Sequence, residues 1–341
     1  MHAFFFAIFL TASTLAAETD AFTLRYRKMQ DGLAAVQQEM QQRIRLGLTR
    51  VQAQGVSTGK CDWQNLDEEL GKELRRPLVG MIEDFINNSG KVDRVNLNLS
   101  ETVYGTLPLI DRFPLVLGGF FKIGLAGNFH HNGWVIGADK LGHFIDEGHT
   151  YYTIVHQAGR TLQDALEIGD FSEKSIFGIW TGGVLSYADL AANYDGYHFW
   201  KDLLGPVGTG PRASIYFTCN QGVWTEKIPL DLAKYVSGAW DEGMNCNEYR
   251  SAEMAQSIQK RISELEKSYG RRLSCPVYPD RIQAMVKRYG VDAARVINPR
   301  ILKAAKESPS RKAGQGPVGS EHRREPRRQS VQKTDSAPRA N

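Results

Sequence analysis

Between Asp139 and Gln157 the apolar residues Leu141, Phe144, Ile145, Tyr151, Tyr152 and Val155 gather within about 120° when each residue is turned by 100°. That spacing belongs to a helix with one buried side, and it is the strongest periodic signal in the chain. The rest of the pattern agrees with it. Residues 20–54 read as a Gln-rich amphipathic helix with Leu33, Val36, Met40, Ile44 and Leu48 at helical spacing. Residues 61–88 read as a second helical stretch, interrupted near Pro77. Further helices are predicted over about 175–194, 230–241, 252–269 and 280–289, the last ended by Gly290.

Strand signals are few. Val92–Leu99 alternates apolar and polar residues, which predicts a short strand. Ser214–Lys227 predicts a hairpin, with two β-rich runs around Asn220, Gln221 and Gly222. Pro108 and Pro114 punctuate a Gly-rich apolar segment, Leu115–Gly127, and Asn128–Trp134 reads as a polar-aromatic loop. The fold class expected is therefore mainly α: a helical, bundle-like single domain with one short β hairpin and a disordered C-terminal tail. Its boundaries are 18–306 for the globular domain and 307–341 for the tail.

The first 17 residues are apolar, end in small residues and precede Glu18 and Asp20. This is the layout of a secretory signal peptide, although no Lys or Arg opens it, and it points to a periplasmic or secreted protein. No cysteine follows before Cys61, which argues against a lipid anchor. The longest later run without charge is Ile123–Ala138, too short and too polar for a transmembrane span. Four cysteines without a CxxC pair fit two disulfides in an oxidising compartment. Sequence proximity favours Cys219–Cys246 with Cys61–Cys275.

Charge excludes one partner class. The net +4 resides in the tail, where residues 307–341 hold eight Lys/Arg and four Asp/Glu. The body is balanced, so no basic face for nucleic acid is expected. The tail has four prolines and no aromatic residue, too little apolar surface to order it.

Chemistry concentrates in the middle of the chain. Six of the eight histidines (130, 131, 143, 149, 156 and 198) fall there, with Trp134, Trp180 and Trp200. On the 139–157 helix, Asp139, His143, Asp146 and Thr150 are spaced 4, 3 and 4, forming a stripe opposite the apolar one, and Glu147 borders it. Two carboxylates and an imidazole within reach suit acid/base catalysis, or metal ligation if another element adds a ligand. The stripe contains no Lys or Arg, and Gly142 and Gly148 weaken the helix, which suggests close packing there. The next helix carries Gly178, Gly182, Ser186, Asp189 and Asn193 on one narrow face. A buried Asp189 needs a partner, and His143 or Lys140 is the natural one. Asp241-Glu242 reads as a cap or turn. No Walker motif is present, so the P-loop nucleotide class has no support.

The run Asp139-Lys140-Leu141-Gly142-His143-Phe144 resembles the Asp-Lys-x-x-His-Phe signature of VanZ-like and YfiM-like bacterial envelope proteins. The resemblance covers these six residues and implies a bacterial envelope setting, without catalytic assignments to transfer. Two functional readings follow. In the first, the protein is an exported hydrolase of an envelope polymer or lipid, with His143, Asp139, Glu147 and Asp189 as catalytic residues and no cofactor specified. In the second, it is a non-catalytic envelope binding or scaffold protein in which the same cluster is structural. A cleft that exposes His143 favours the first, and a buried, mutually satisfied cluster the second.

Overall fold

The chain first turns where Asp20 meets its own backbone. Its carboxylate accepts hydrogen bonds from the Phe22 and Thr23 N–H groups and the Thr23 hydroxyl, and from Val103 N–H across the fold. These local bonds compete with helix formation. The helix expected from residue 20 accordingly begins later, as α1 (Leu33–Thr58), with Val36, Met40 and Ile44 buried along one side. The computed structural model describes residues 19–76, 80–108, 125–174, 183–206 and 212–307. The expected signal peptide (1–17), the tail beyond Glu307, Pro77, most of the Leu115–Gly127 segment and residues 175–182 lie outside the described residues.

Helix α2 (Trp63–Leu74) is capped by Asp62, whose side chain accepts from the Gln64 and Asn65 N–H groups, and α3 (Met81–Asn88) follows. The predicted strand is the short β1 (Arg94–Val95), which pairs antiparallel with β2 (Asn128–His131), and β2 pairs with β3 (Trp134–Gly137). The segment expected to be a loop is thus a second hairpin. Asn132 and Gly133 at its tip have φ of 49° and 81°, the left-handed pair that a tight two-residue hairpin turn requires.

The central helix α4 is continuous over 139–156. It is α-helical over Asp139–Gly142, π-helical over His143–Glu147 and α-helical again over Gly148–His156. Helix α5 (Leu162–Lys174) follows. The backbone is extended at β4 (Val184–Leu185), and within the described residues the helix expected over 175–194 begins at Tyr187, where Ser186 accepts from Asp189 N–H. This α6 (Tyr187–Leu204) also extends ten residues past the predicted end, because Tyr197, Phe199, Trp200 and Leu203 keep burying apolar surface.

The predicted hairpin is β5 (Phe217–Asn220) and β6 (Val223–Glu226), turning at Gln221 and Gly222 with φ of 49° and 79°. Residues 230–241 hold only two 3-10 turns, Leu232–Lys234 and Gly238–Trp240, in place of the expected helix. Ser237 is extended between them and caps Ala239 N–H, which stops the helix. The chain then forms α7 (Glu242–Asn245), β7 (Glu248–Tyr249) antiparallel to β4, α8 (Ala252–Tyr269), α9 (Ile282–Tyr289), α10 (Ala293–Val296) and α11 (Pro299–Glu307). The architecture is mainly α with short strands. No helix among the described residues is long and apolar enough to cross a membrane.

The disulfides are Cys61–Cys219 and Cys246–Cys275, a different pairing from the one sequence proximity favours. The hairpin β5–β6 is laid against the end of α1, where Gln52 accepts from Trp224 N–H, and Trp63 meets Trp224 edge to face. That docking carries Cys219 to Cys61. Val277 N–H donates to Gly243 O, which brings Cys275 to Cys246.

Helices α4 and α6 cross at two glycines. A Cβ on Gly148 would lie 2.5 Å from Gly196 Cα, and one on Gly196 would overlap the Phe144 carbonyl oxygen. The close packing inferred from Gly148 is therefore backbone against backbone. Gly196→Ala should cost roughly 2 kcal/mol or more, since the helices must separate to admit a methyl group. Urea denaturation measures it; an unchanged midpoint would show that the crossing is looser than described.

Candidate functional site

Helix α4 is buried on both of its faces. Its apolar residues Leu141, Phe144 and Ile145 are inaccessible, and on the opposite side Asp139, His143 and Asp146 retain only 3, 4 and 5 % exposure. The polar stripe read as a helix surface is an internal seam. The π-helical turn carries the Gly148 N–H back to His143 O, five residues away, and this widened turn separates the stripe's members. His143 faces α6, whereas Asp146 turns toward α2, with its Oδ1 3.6 Å from Arg75 Nε. Thr150 bonds back to Asp146 O, so it does not join the cluster.

Lys140 is the hub of the seam. Its ammonium is buried and lies 2.6 Å from Asp139 Oδ2, 2.5 Å from Asp189 Oδ1 and 2.7 Å from Glu242 Oε1. Ser186 Oγ stands 3.4 Å away. The charge thus ties α4 to the first turn of α6 and to α7. Asp189 finds both anticipated partners, since His143 Nε2 stands 3.4 Å from its second oxygen. His143 Nδ1 is 3.1 Å from Asn193 Oδ1, and Glu147, the most exposed of the four candidate catalytic residues, lies 3.7 Å from the same nitrogen. A further carboxylate, Glu173 at the end of α5, is buried beside the group.

Three buried carboxylates therefore surround one ammonium, and a fourth, Glu173, lies beside His143 and Asp189. Burial, reinforced by Asp189 and Glu242, pushes the Asp139 carboxyl well above the usual range against the opposing pull of Lys140. Burial and Asp189 do the same to Glu173. Burial opposes charge on Asp189 too, but the adjacent Lys140 ammonium outweighs it and holds the group ionised. Burial lowers the His143 pKa, which keeps the ring neutral.

Of the positions expected to carry chemistry, Asp139, His143 and Asp189 meet and Glu147 borders them. Asp241, read as a turn residue, forms a buried pair with Arg25 at 2.5 Å and caps Gly243 N–H. Lys140 and Glu242 were not candidates in their own right, yet they complete the hub. Glu173 lay outside every segment that carried a sequence signal.

The other histidines disperse. His131 pairs with Asp31 on the β2–β3 hairpin, and His198 stacks edge-on against Tyr194. His149 lies at a separate place, with Nε2 2.7 Å from Asp67 Oδ1, and Gln157 donates to the other Asp67 oxygen. This pair borders a cleft of about 700 Å³ whose lining includes Lys72, Arg75, His156 and Arg212. It opens between α2 and α4.

No protein-family model matches the chain, and no curated protein and no solved structure matches it either. Function must therefore be argued from the geometry.

A second carboxylate pair lies where α3 abuts α4. Burial raises Glu83 to about 7, against the Gly80 N–H that favours its ionised form, and burial raises Asp146 to about 7 as well. A folded pKa above the unfolded one means that the fold binds the proton more tightly, so stability is present at low pH and falls between about 4.5 and 7. Glu83→Gln should flatten that fall and exceed wild type by roughly 1–3 kcal/mol at pH 8, while matching it near pH 4. Urea melts at the two pH values test this, and a variant less stable than wild type at pH 8 would refute it.

Proposed function

We propose that this chain is an exported envelope protein that holds an anionic envelope polymer or lipid headgroup in the cleft between α2 and α4. The observation that carries the reading is the cleft itself: an open concavity of about 700 Å³ whose lining includes three cations, Lys72, Arg75 and Arg212, against the carboxylates of Asp67 and Glu68, with His149 bonded to Asp67. Guanidinium and ammonium groups suit phosphate or carboxylate ligands. Arg212 is presented rigidly, since it lies over the Trp63 ring and donates to the Leu204 carbonyl. Export is supported by the two disulfides, which suit an oxidising compartment, and by the N-terminal pattern.

The cluster of His143, Asp139 and Asp189 suits a non-catalytic role, because its burial withholds substrate from it. A second reading, hydrolysis, is favoured at the cleft by one feature. Asp67 accepts from His149 Nε2, which leaves Nδ1 as the basic nitrogen, and the Thr153 hydroxyl stands 3.5 Å from it. A histidine oriented by a carboxylate is equipped to act as a general base.

Cosedimentation with vesicles containing phosphatidylglycerol, and with vesicles of phosphatidylcholine alone, tests the binding reading; a soluble anionic polysaccharide tests the polymer source. Arg212→Gln should weaken binding to the anionic probe about tenfold, the scale of one charge-assisted hydrogen bond. Indifference to charge, or no binding by wild type, would overturn it. If the cleft hydrolyses its ligand, His149→Gln should abolish turnover while binding persists.

A further inference from the structure

Asp189 belongs to two pockets at once. Its Oδ1 faces the Lys140 ammonium, which Asp139 and Glu242 also contact. Its Oδ2 faces away, toward His143 Nε2, and the Glu173 carboxylate lies beside these two residues. In this second pocket one ligand-type atom from each of His143, Glu173 and Asp189 lies within 4.8 Å of the other two, and all three residues are buried. Among the described residues, no lysine or arginine pairs with Glu173 or with Asp189 Oδ2.

The tautomer of His143 sharpens the problem. Asn193 Nδ2 donates to the Tyr151 hydroxyl at 3.5 Å, which turns Asn193 Oδ1 toward His143 Nδ1 at 3.1 Å. An amide oxygen only accepts, so Nδ1 carries the proton and Nε2 carries the lone pair. His143 is 4 % exposed and no hydrogen bond reaches Nε2. The lone pair looks at a carboxylate oxygen 3.4 Å away, two acceptors with no donor between them. That separation is too long for a strong hydrogen bond. It equals the edge of a tetrahedron built from bonds of about 2.0–2.1 Å, which is roughly 3.4 Å. A ring N–H anchored on a carbonyl oxygen, with the opposite nitrogen bare, is also how metal-bound histidines are held.

We propose that His143, Glu173 and Asp189, from three different helices, form a divalent-metal site to which one imidazole and two carboxylates suit zinc, with Asn193 orienting the histidine. The ion takes the place in the second pocket that Lys140 takes in the first. Glu173, with three side-chain torsions, is the ligand that adjusts to close the shell. The site is separate from the cleft proposed above, and each stands or falls without the other.

The experiment uses the full mature chain without a histidine tag, stripped with EDTA and titrated with zinc chloride. Wild type should bind one equivalent, and its melting temperature should rise by about 5 °C at a hundredfold excess over Kd. Glu173→Gln should lose that rise, yet melt at or above the temperature of stripped wild type, because it removes a buried carboxyl group with no cation paired to it among the described residues. His143→Gln should lose the rise as well. A zinc response that persists in both variants would place the metal elsewhere and overturn the proposal. So would a wild type without a zinc response, or a His143 ring whose two nitrogens both carry protons, in nitrogen NMR, while zinc is present.

Discussion

The interaction on which the structure depends is the buried ammonium of Lys140 between Asp139, Asp189 and Glu242. Taking a charge out of water costs several kcal/mol, and only close, well-placed counter-charges repay it. Here three carboxylates from α4, α6 and α7 converge within 2.7 Å of one nitrogen. An apolar seam would tolerate sliding, whereas this one admits a single register of α4 against α6. The glycine crossing at Gly148 and Gly196 supplies the proximity, and the lysine fixes the angle at which it is used.

The remainder of the site follows from that register. With Asp189 held on one oxygen by Lys140, its other oxygen is turned toward His143. The π-helical turn over His143–Glu147 then rotates Asp146 out of the cluster toward Arg75, and sends His149 to Asp67 on α2. One helix thus serves a closed charged core on one side and the wall of an open cleft on another. The second is the one open to solvent.

Much of the fold was legible because it rests on local physics. The apolar periods of 33–48, 139–157 and 252–269 need no knowledge of neighbours, and the Asn-Gln-Gly turn announces its hairpin. The second hairpin carried the same kind of sign, Asn132-Gly133, but its short flanking strands gave too little alternation around it. The disulfide pairing was not legible, since it depends on where a hairpin docks on α1. The Lys140 hub was hidden for a related reason. A helix with one apolar and one polar face is read as half-solvated, and nothing in Asp-Lys-Leu-Gly-His says that other helices cover the polar side. Glu242 was masked by its neighbour: Asp241 does cap a turn, as its position suggests, while Glu242 points inward to Lys140. Asp189 was found because a carboxylate on a small-residue seam must be buried and must therefore be paired.

The claim that one cation compensates these carboxylates is most directly tested by a double-mutant cycle of Lys140→Met and Glu242→Gln, read by urea denaturation. Lys140→Met alone should cost roughly 3–5 kcal/mol, since it strands buried carboxylates. If Lys140 compensates Glu242, removing the carboxylate as well should recover part of that loss, leaving the double variant more stable than Lys140→Met and a coupling energy of roughly 1–3 kcal/mol. Losses that simply add would contradict the account, because they would mean that the two side chains contribute packing rather than charge.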